Sequence, residues 1–148
     1  MKFSKKSRYG VAALIDLAVN SKNGHVALGS IAERNEISPQ YLEQVFASLR
    51  RAGIVKSVKG SQGGYLLKYP SSSITVASII QALEGTYYLD DEETKTEESA
   101  AGIAETIQED IVDRVNHGLD QILQNLTLAD LEERFQERQS GGQEMYYI

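Results

Sequence analysis

Along the first 85 positions apolar residues recur at helical spacing, and one short stretch is extended instead. Residues 4–20 read as a helix with Ser4 as N-cap, and Tyr9, Ala12, Ala13, Ile15, Leu17 and Val19 give its apolar side. Turn residues from Asn20 to Gly24 end it. A second short helix is expected over Ser30–Asn35. There Ser30 and Glu33 have the spacing of a capping box, and Ile31 and Ala32 turn inward. Ser38-Pro39 supplies an N-cap and a proline at the first helical position of a third helix running to Ala52. Its apolar residues Leu42, Val45, Phe46 and Leu49 form a clean stripe, and Gly53 stops it. Ile54–Lys59 and Tyr65–Lys68 read as strands around Gly60-Ser61-Gln62-Gly63-Gly64, a β-hairpin. After a break at Pro70–Ser73, a helix from Thr75 to Leu83 turns Val76, Ile79, Ile80 and Leu83 inward, and Gly85 closes it.

The second half has a different texture. Asp90–Glu98 holds six acids and one Lys and reads as a solvated connection. A divalent cation is the other reading, but the spacing fits no EF-hand loop. From roughly Glu98 to Asn125 a long helix is expected, with Ile103, Ile107, Ile111, Val115, Leu119, Ile122 and Leu126 at spacings of 3 or 4. That stripe is either an intramolecular core or a seam between two copies, since one helix cannot cover its own apolar side. A last short helix starts at Thr127, with Asp130 three residues on, and runs to about Gln139. Gly141-Gly142 then loosens the chain before Met145-Tyr146-Tyr147-Ile148. No internal repeat is visible.

The expected fold class is mainly α with a small β-hairpin wing. The order helix, helix, turn, helix, hairpin, helix is that of a winged helix-turn-helix domain. The expected divisions are a winged domain at 1–85, an acidic linker at 86–98, a long helix at 99–126, and a C-terminal helix and tail at 127–148.

Charge sharpens this division. The whole chain of 148 residues carries 15 Lys+Arg, 21 Asp+Glu and a net charge of −6, which argues against nucleic acid. Residues 1–84, however, hold 11 Lys+Arg against 5 Asp+Glu, a net of +6, and residues 85–148 hold 4 against 16, a net of −12. The basic half points to DNA. The third helix leaves Ser38, Gln40, Tyr41, Glu43, Gln44 and Arg51 outward. Gln pairs with adenine and Glu accepts from cytosine in the major groove, and a helix N-terminus favours a nearby phosphate. Lys56, Lys59 and Gly60 form a basic wing suited to the backbone or minor groove. Lys5, Arg8 and Tyr9 at the start of the first helix complete the DNA-binding set.

Composition excludes other functions. There is no Cys, hence no disulfide, thiolate zinc site, cysteine nucleophile or cysteine-ligated cluster. Two His cannot build a three-His zinc site. His25 reads as a surface residue in a polar turn, and His117 lies on the long helix near Arg114. No phosphate-cradling or metal-ligand spacing is present, so no enzyme, cofactor or metal is expected. Val11–Val19 is too short to span a membrane and contains Asp16. Asp16 also breaks any signal-peptide core, so a cytoplasmic protein with no membrane partner is expected.

These strings together resemble the Rrf family of bacterial winged-helix regulators. The matching segments are Ser7-Arg8-Tyr9-Gly10, Ser30-Ile31-Ala32, Ile37-Ser38-Pro39-Gln40-Tyr41-Leu42-Glu43-Gln44, Leu49-Arg50-Arg51-Ala52-Gly53-Ile54-Val55, Gly60-Ser61-Gln62-Gly63-Gly64-Tyr65 and Ile79-Ile80-Gln81-Ala82-Leu83-Glu84-Gly85. Each is weak alone; their joint order over residues 1–85 is highly specific. The resemblance implies a homodimeric DNA-binding transcription factor, usually a repressor. It implies pairing through the long helix, with Ile103, Ile107, Ile111, Val115, Leu119 and Ile122 at the dimer interface. A two-fold dimer in turn calls for a pseudo-palindromic double-stranded operator.

Several members of the family hold an iron–sulfur cluster on three cysteines just before that helix. The corresponding stretch here, Leu89–Gly102, has none, which places the chain with the cluster-free, CymR-like branch concerned with cysteine metabolism. Members of that branch end in an aromatic-Ile tail, which Tyr147-Ile148 resembles. By that likeness Tyr146, Tyr147 and Ile148 form a partner-binding tail for cysteine synthase. The alternative function is a winged-helix interaction adaptor that does not read DNA; an adaptor has no need of the clustered Lys and Arg.

Overall fold

The computed structural model describes residues 3–91 and 101–147, the side chains of 101 and 143–147 excepted. Helix α1 spans Lys5–Asn20, and the Ser4 hydroxyl accepts from the Ser7 N–H at 3.3 Å as its cap. Its buried face is Ser7, Gly10, Ala13, Leu14, Leu17 and Ala18, the i, i+3, i+4, i+7 series of one helix side. Tyr9, Ala12, Ile15 and Val19, expected on the inner side, flank this face half-buried, whereas Leu14 and Ala18 are central to it.

Helix α2 covers Leu28–Asn35 and so begins two residues before the expected Ser30 cap. Ala27 is the N-cap, with no side-chain cap bond, and the Ser30–Glu33 capping box does not form. The cause is tertiary. Val26 is drawn into a two-way backbone pair with Tyr65, at 3.0 and 2.9 Å. The extended chain leaving that pair lets the Ala27 carbonyl accept from Ser30 and Ile31, which starts the helix early. Glu36, at φ +53°, makes the left-handed turn into Ile37.

Helix α3 spans Pro39–Arg51, with the Ser38 hydroxyl accepting from the Tyr41 N–H at 3.1 Å. Its stripe Leu42, Val45, Phe46 and Leu49 is fully buried. Strands β1 (Val55–Val58) and β2 (Gly64–Leu67) pair antiparallel, Val55 opposite Leu67 and Val58 opposite Gly64. Val26 lies against Tyr65 as a one-residue third strand. Only glycine fits at position 64, where a Cβ would stand 2.2 Å from the Val26 carbonyl oxygen. A 3-10 turn at Ser71–Ser73 leads to α4, Val76–Glu84, capped by Thr75.

The C-terminal half consists of α5 (Ala101–Ile107), a π-helical segment (Gln108–Asp113), α6 (Arg114–Leu123) and α7 (Leu128–Tyr147). The long helix is thus continuous but altered in the middle. The expected capping pattern at Thr127 and Asp130 is present in both directions, at 2.9 and 3.1 Å. Helix α7, expected to stop near Gln139, instead runs through Gly141 and Gly142 to Tyr147. Each glycine costs about 1 kcal/mol in a helix interior, but an anchored helix gains one backbone bond per residue added. Good helix formers on both sides then carry it across.

Two apolar clusters result. The main one joins α1–α4 and the wing, and takes in Leu128 from the start of α7, which is fully buried. Backbone bonds stitch the same place: Val76 N–H to the Leu126 carbonyl and Leu128 N–H to the Ile74 carbonyl, both 2.8 Å. Lys22 adds an ion pair to the buried Glu132 at 3.0 Å. The smaller cluster packs Val76, Ala77, Ile80 and Tyr87 against Leu119, Leu123, Leu126 and Leu131. Beside it, the Tyr87 and Tyr88 hydroxyls both donate to the Asp120 carboxylate, Tyr88 at 2.7 Å. The opening of the expected acidic linker is therefore tied to α6. Asp90 and Asp91 are exposed, and 92–98 lie outside the described residues.

Among the long-helix stripe, Ile103, Ile107, Ile111, Val115 and Ile122 are exposed, with Ile103 at 66%, Ile111 at 54% and Ile122 at 64%. Leu119, expected in the same seam, packs instead within the protomer. Residues spaced by 4 drift about 40° per step on a 3.6-residue helix, so a long run of them winds off one face. The π segment turns less per residue and holds back that drift between Ile107 and Val115. Beyond it the helix resumes its normal pitch, and Leu119 comes round to face α4.

Candidate nucleic-acid interface

The face expected to meet DNA is built by three elements. Helix α3 is held by its buried stripe, so its other side must be outward. Ser38, Gln40, Glu43, Gln44, Arg50 and Arg51 are all exposed there. Tyr41 is the exception. It is half-buried, packed on the core, and meets the Tyr9 ring edge-on at 5.7 Å. The two tyrosines join the start of α1 to the start of α3.

Strand alternation sets the wing. Val55 is buried beneath it, and its neighbour Lys56 points outward. Lys59, Gly60, Ser61 and Gln62 at the tip are exposed, and Gly60 adopts φ +118°, open to glycine at no steric cost. Between α3 and the wing lies an open groove of about 550 Å³ lined by Glu43, Ala47, Arg50, Val58, Lys59 and Tyr65. Arg50, outside the expected contact set, is therefore central to this face. From the sequence Arg50 reads either as a phosphate contact or as a partner within the domain, and the ion pairs among the described residues do not include it.

Helix α1 brings further cations. Lys5 lies 5.8 Å from the Tyr9 ring centre and Arg8 lies 5.2 Å from that of Phe3, both exposed. Lys6 and Arg51 converge on the Ser48 hydroxyl, at 3.5 and 3.3 Å. The ion pairs among the described residues, Lys22–Glu132 and Arg34–Asp16, lie elsewhere. Among the described residues no ion pair ties up the cations of this face, the condition in which they can take up phosphate.

The start of α1 is fixed by Glu84 at the end of α4. Its carboxylate accepts from the Ser4 hydroxyl and, at 2.6 Å, from that of the fully buried Ser7. Gly10 permits the same approach, because a Cβ there would fall 2.3 Å from a Leu83 methyl. Ser7 and Gly10 of α1 and Leu83 and Glu84 of α4 thus form one joint.

The other expected sites lie apart from this face. The exposed stripe Ile103, Ile107, Ile111, Val115 and Ile122 runs along α5 and α6. Tyr146 and Tyr147 fall in the last turn of α7, and Ile148 lies outside the described residues. Among the described residues there is no cluster of three metal-ligating side chains, and no helix long and apolar enough to cross a membrane.

Residues 3–134 match the family model for Rrf2, described as an iron-dependent transcriptional regulator. The HTH-type transcriptional regulator IscR of Yersinia enterocolitica is 38% identical over 135 residues, covering 88% of this chain and 79% of the relative. Among solved structures, CymR, the global cysteine regulator of B. subtilis, superposes with a TM-score of 0.76 at 36% identity, covering 90% of this chain and 98% of that one. The IscR of T. potens superposes with a TM-score of 0.71 at 40% identity, covering 94% and 91%. These relatives are transcriptional regulators, not enzymes. The iron dependence in the family description meets a chain without a single cysteine, so its residues do not fit a thiolate-ligated cluster.

Proposed function

This chain belongs to the Rrf2 family of DNA-binding transcriptional regulators, and from that premise we propose that it is a homodimeric, sequence-specific repressor that works without an iron–sulfur cluster. The observation that carries the reading is the exposed, acid-poor cationic face formed by α3, the wing and the start of α1, on the half of the chain with net charge +6. In this reading α3 enters the major groove. Gln40 and Gln44 read base edges, and Glu43 accepts from cytosine. Ser38, at the helix N-terminus, and Tyr41 and Tyr9 meet the sugar–phosphate backbone. Lys5, Arg8, Arg51, Lys56, Lys59 and the Gly60 backbone take phosphates on either side.

The exposed stripe of α5 and α6 supplies the second part. Ile103, Ile107, Ile111, Val115 and Ile122 form an apolar line on a helix that the winged domain leaves uncovered. A second copy related by a two-fold axis would cover both lines at once. It would set two α3 helices one or two DNA turns apart, on a pseudo-palindromic operator.

The likeness to a global cysteine regulator supports genes of cysteine or sulfur metabolism as targets. We extend this to the tail: Tyr146, Tyr147 and Ile148 engage cysteine synthase through the terminal carboxylate and the Ile side chain.

Selection of bound DNA from genomic fragments tests the whole reading. A recovered palindrome upstream of sulfur genes, protected by the full-length protein, is the expected result. Recovery of no preferred sequence would overturn base readout by Gln40 and Gln44. For the tail, calorimetric titration with cysteine synthase should lose its signal when the last four residues are deleted, and an unchanged signal refutes the docking.

A further inference from the structure

His25 stands in the polar turn between α1 and α2, 37 residues before the wing tip, and is exposed. Its ring Nε2 nevertheless lies 2.6 Å from the Gln62 carbonyl oxygen. A carbonyl only accepts, so Nε2 carries the hydrogen and donates it. The neighbouring residue explains the placement. Val26 pairs with Tyr65 in both directions, which brings the 25–26 segment alongside β2 and sets His25 against the tip.

The tip has little else to hold it. Gly60 and Gly63 close a tight turn through one backbone bond of 3.1 Å, and Lys59 to Gln62 are exposed. Among the described residues, His25 makes the one side-chain hydrogen bond to the 59–63 segment. Glycine-rich backbone loses more freedom on ordering than any other. A free tip would therefore be ordered at the moment of binding, at the expense of affinity.

We propose that His25 is a positioning residue for the wing. Its Nε2–H holds the Gln62 carbonyl and fixes the arc in which Lys59 and Gly60 are presented to the duplex. The inference rests on the proposed wing–phosphate contact, and it assigns to a residue outside the DNA-facing set the task of ordering that contact in advance. It also gives a reason for the short stretch of extended chain at Val26: without that pair, His25 would not reach the tip. In the neutral ring the bond selects the Nε2–H tautomer.

The test uses the full chain and three variants, His25→Ala, His25→Gln and Lys59→Ala, with DNA affinity measured for operator and unrelated duplexes and hydrogen exchange measured at the Gly63 amide. His25→Ala should weaken both duplexes alike, by about 3- to 10-fold, the size of one exposed hydrogen bond. It should speed Gly63 exchange and lower Tm by only a few degrees, because one exposed hydrogen bond is lost and no core packing. His25→Gln, whose carboxamide N–H reaches a similar distance, should restore both affinity and protection. Rescue of this kind separates a positioning donor from a loss of bulk or charge.

The inference is overturned if His25→Ala leaves Gly63 exchange unchanged, or if His25→Gln behaves as His25→Ala. It is also overturned if Lys59→Ala weakens binding while His25→Ala does not. Should Lys59→Ala leave DNA binding intact while His25→Ala still speeds Gly63 exchange, the latch stands and the wing–phosphate reading fails.

Discussion

Residues 5–85 cover the stripes of α1, α3 and α4 within the chain, whereas along α5 and α6 five of the branched aliphatic residues face water. Leu14, Leu17, Leu42, Phe46, Leu49 and Ile79 are inaccessible, but Ile103 and Ile122 are each about two-thirds exposed. Similar residue types at similar spacing thus meet opposite ends. In the winged half α1 and α3 each pack on the other three helices of that half, and each also meets one strand of the hairpin. Among the described residues, the long helix packs Leu119 and Leu123 in a cluster with α4 and Leu131 and bonds the 87–91 segment, and its other side meets no part of the chain. Charge follows the same line, +6 before residue 85 and −12 after it. The lesson is that an amphipathic stripe records a need for cover without saying where the cover comes from.

The largest test of this contrast compares the two stripes directly. Phe46→Ala, in the winged core against the Tyr65 ring, should cost about 3–5 kcal/mol in urea unfolding. Ile111→Glu should leave the chain folded, with a monomer-concentration unfolding midpoint close to the parent. Under the proposed assembly it should shift sedimentation from two copies to one. A large loss of fold from Ile111→Glu would show that the stripe has intramolecular cover after all.

Next in size, Gln44→Ala should lose about 1–3 kcal/mol of discrimination at one base position, read as the ratio of operator to unrelated-duplex affinity in gel-shift competition. An unchanged ratio refutes base contact by Gln44. Lys59→Ala should instead weaken every duplex alike and make the slope of log K against log salt shallower by about one.

The smallest effect concerns the join between the halves. The Tyr87 and Tyr88 hydroxyls hold the Asp120 carboxyl below its ordinary range, Tyr87 being the stronger cause. A depressed carboxylate favours the fold at neutral pH, and that contribution disappears as pH falls through its folded-state value. Burial, aided by Asp120, pushes the Tyr87 hydroxyl up to about 12. Its contribution is full below the ordinary tyrosine value and is lost as pH rises from there through about 12. Asp120→Asn should flatten the acid side of the stability profile, measured by urea midpoints from neutral to acid pH. An unaltered acid limb would mean that the clasp does not hold the halves together.

Much of the winged half was legible in order. Ser4 and Ser38 cap the helices they were expected to cap, and Gly53 and Gly85 follow the ends of theirs, because capping and stop signals act over one turn of chain. The early start of α2 was not legible. It depends on Val26 meeting Tyr65, 39 residues away, and no local pattern encodes that. The full length of α7 was missed for a related reason. Gly141-Gly142 reads as a break only until the helix is anchored through Leu128 and Glu132. On the proposed DNA face, Gln40, Glu43 and Gln44 were assigned by elimination from the α3 stripe, since a stripe that is buried leaves its complement outside. Arg50 was not, because its position beside the groove depends on where the wing folds back.

By itself the sequence determined the periodic elements, the basic and acidic halves and the absence of thiolate chemistry, all properties of residue type and near-neighbour spacing. The tertiary structure alone decided that Leu128 joins the winged core, that Leu119 turns inward while Ile111 stays in water, and that His25 reaches the wing tip. Each of these depends on contacts between distant segments, where the winding of a helix and the pairing of two strands choose among faces that the local pattern leaves equivalent.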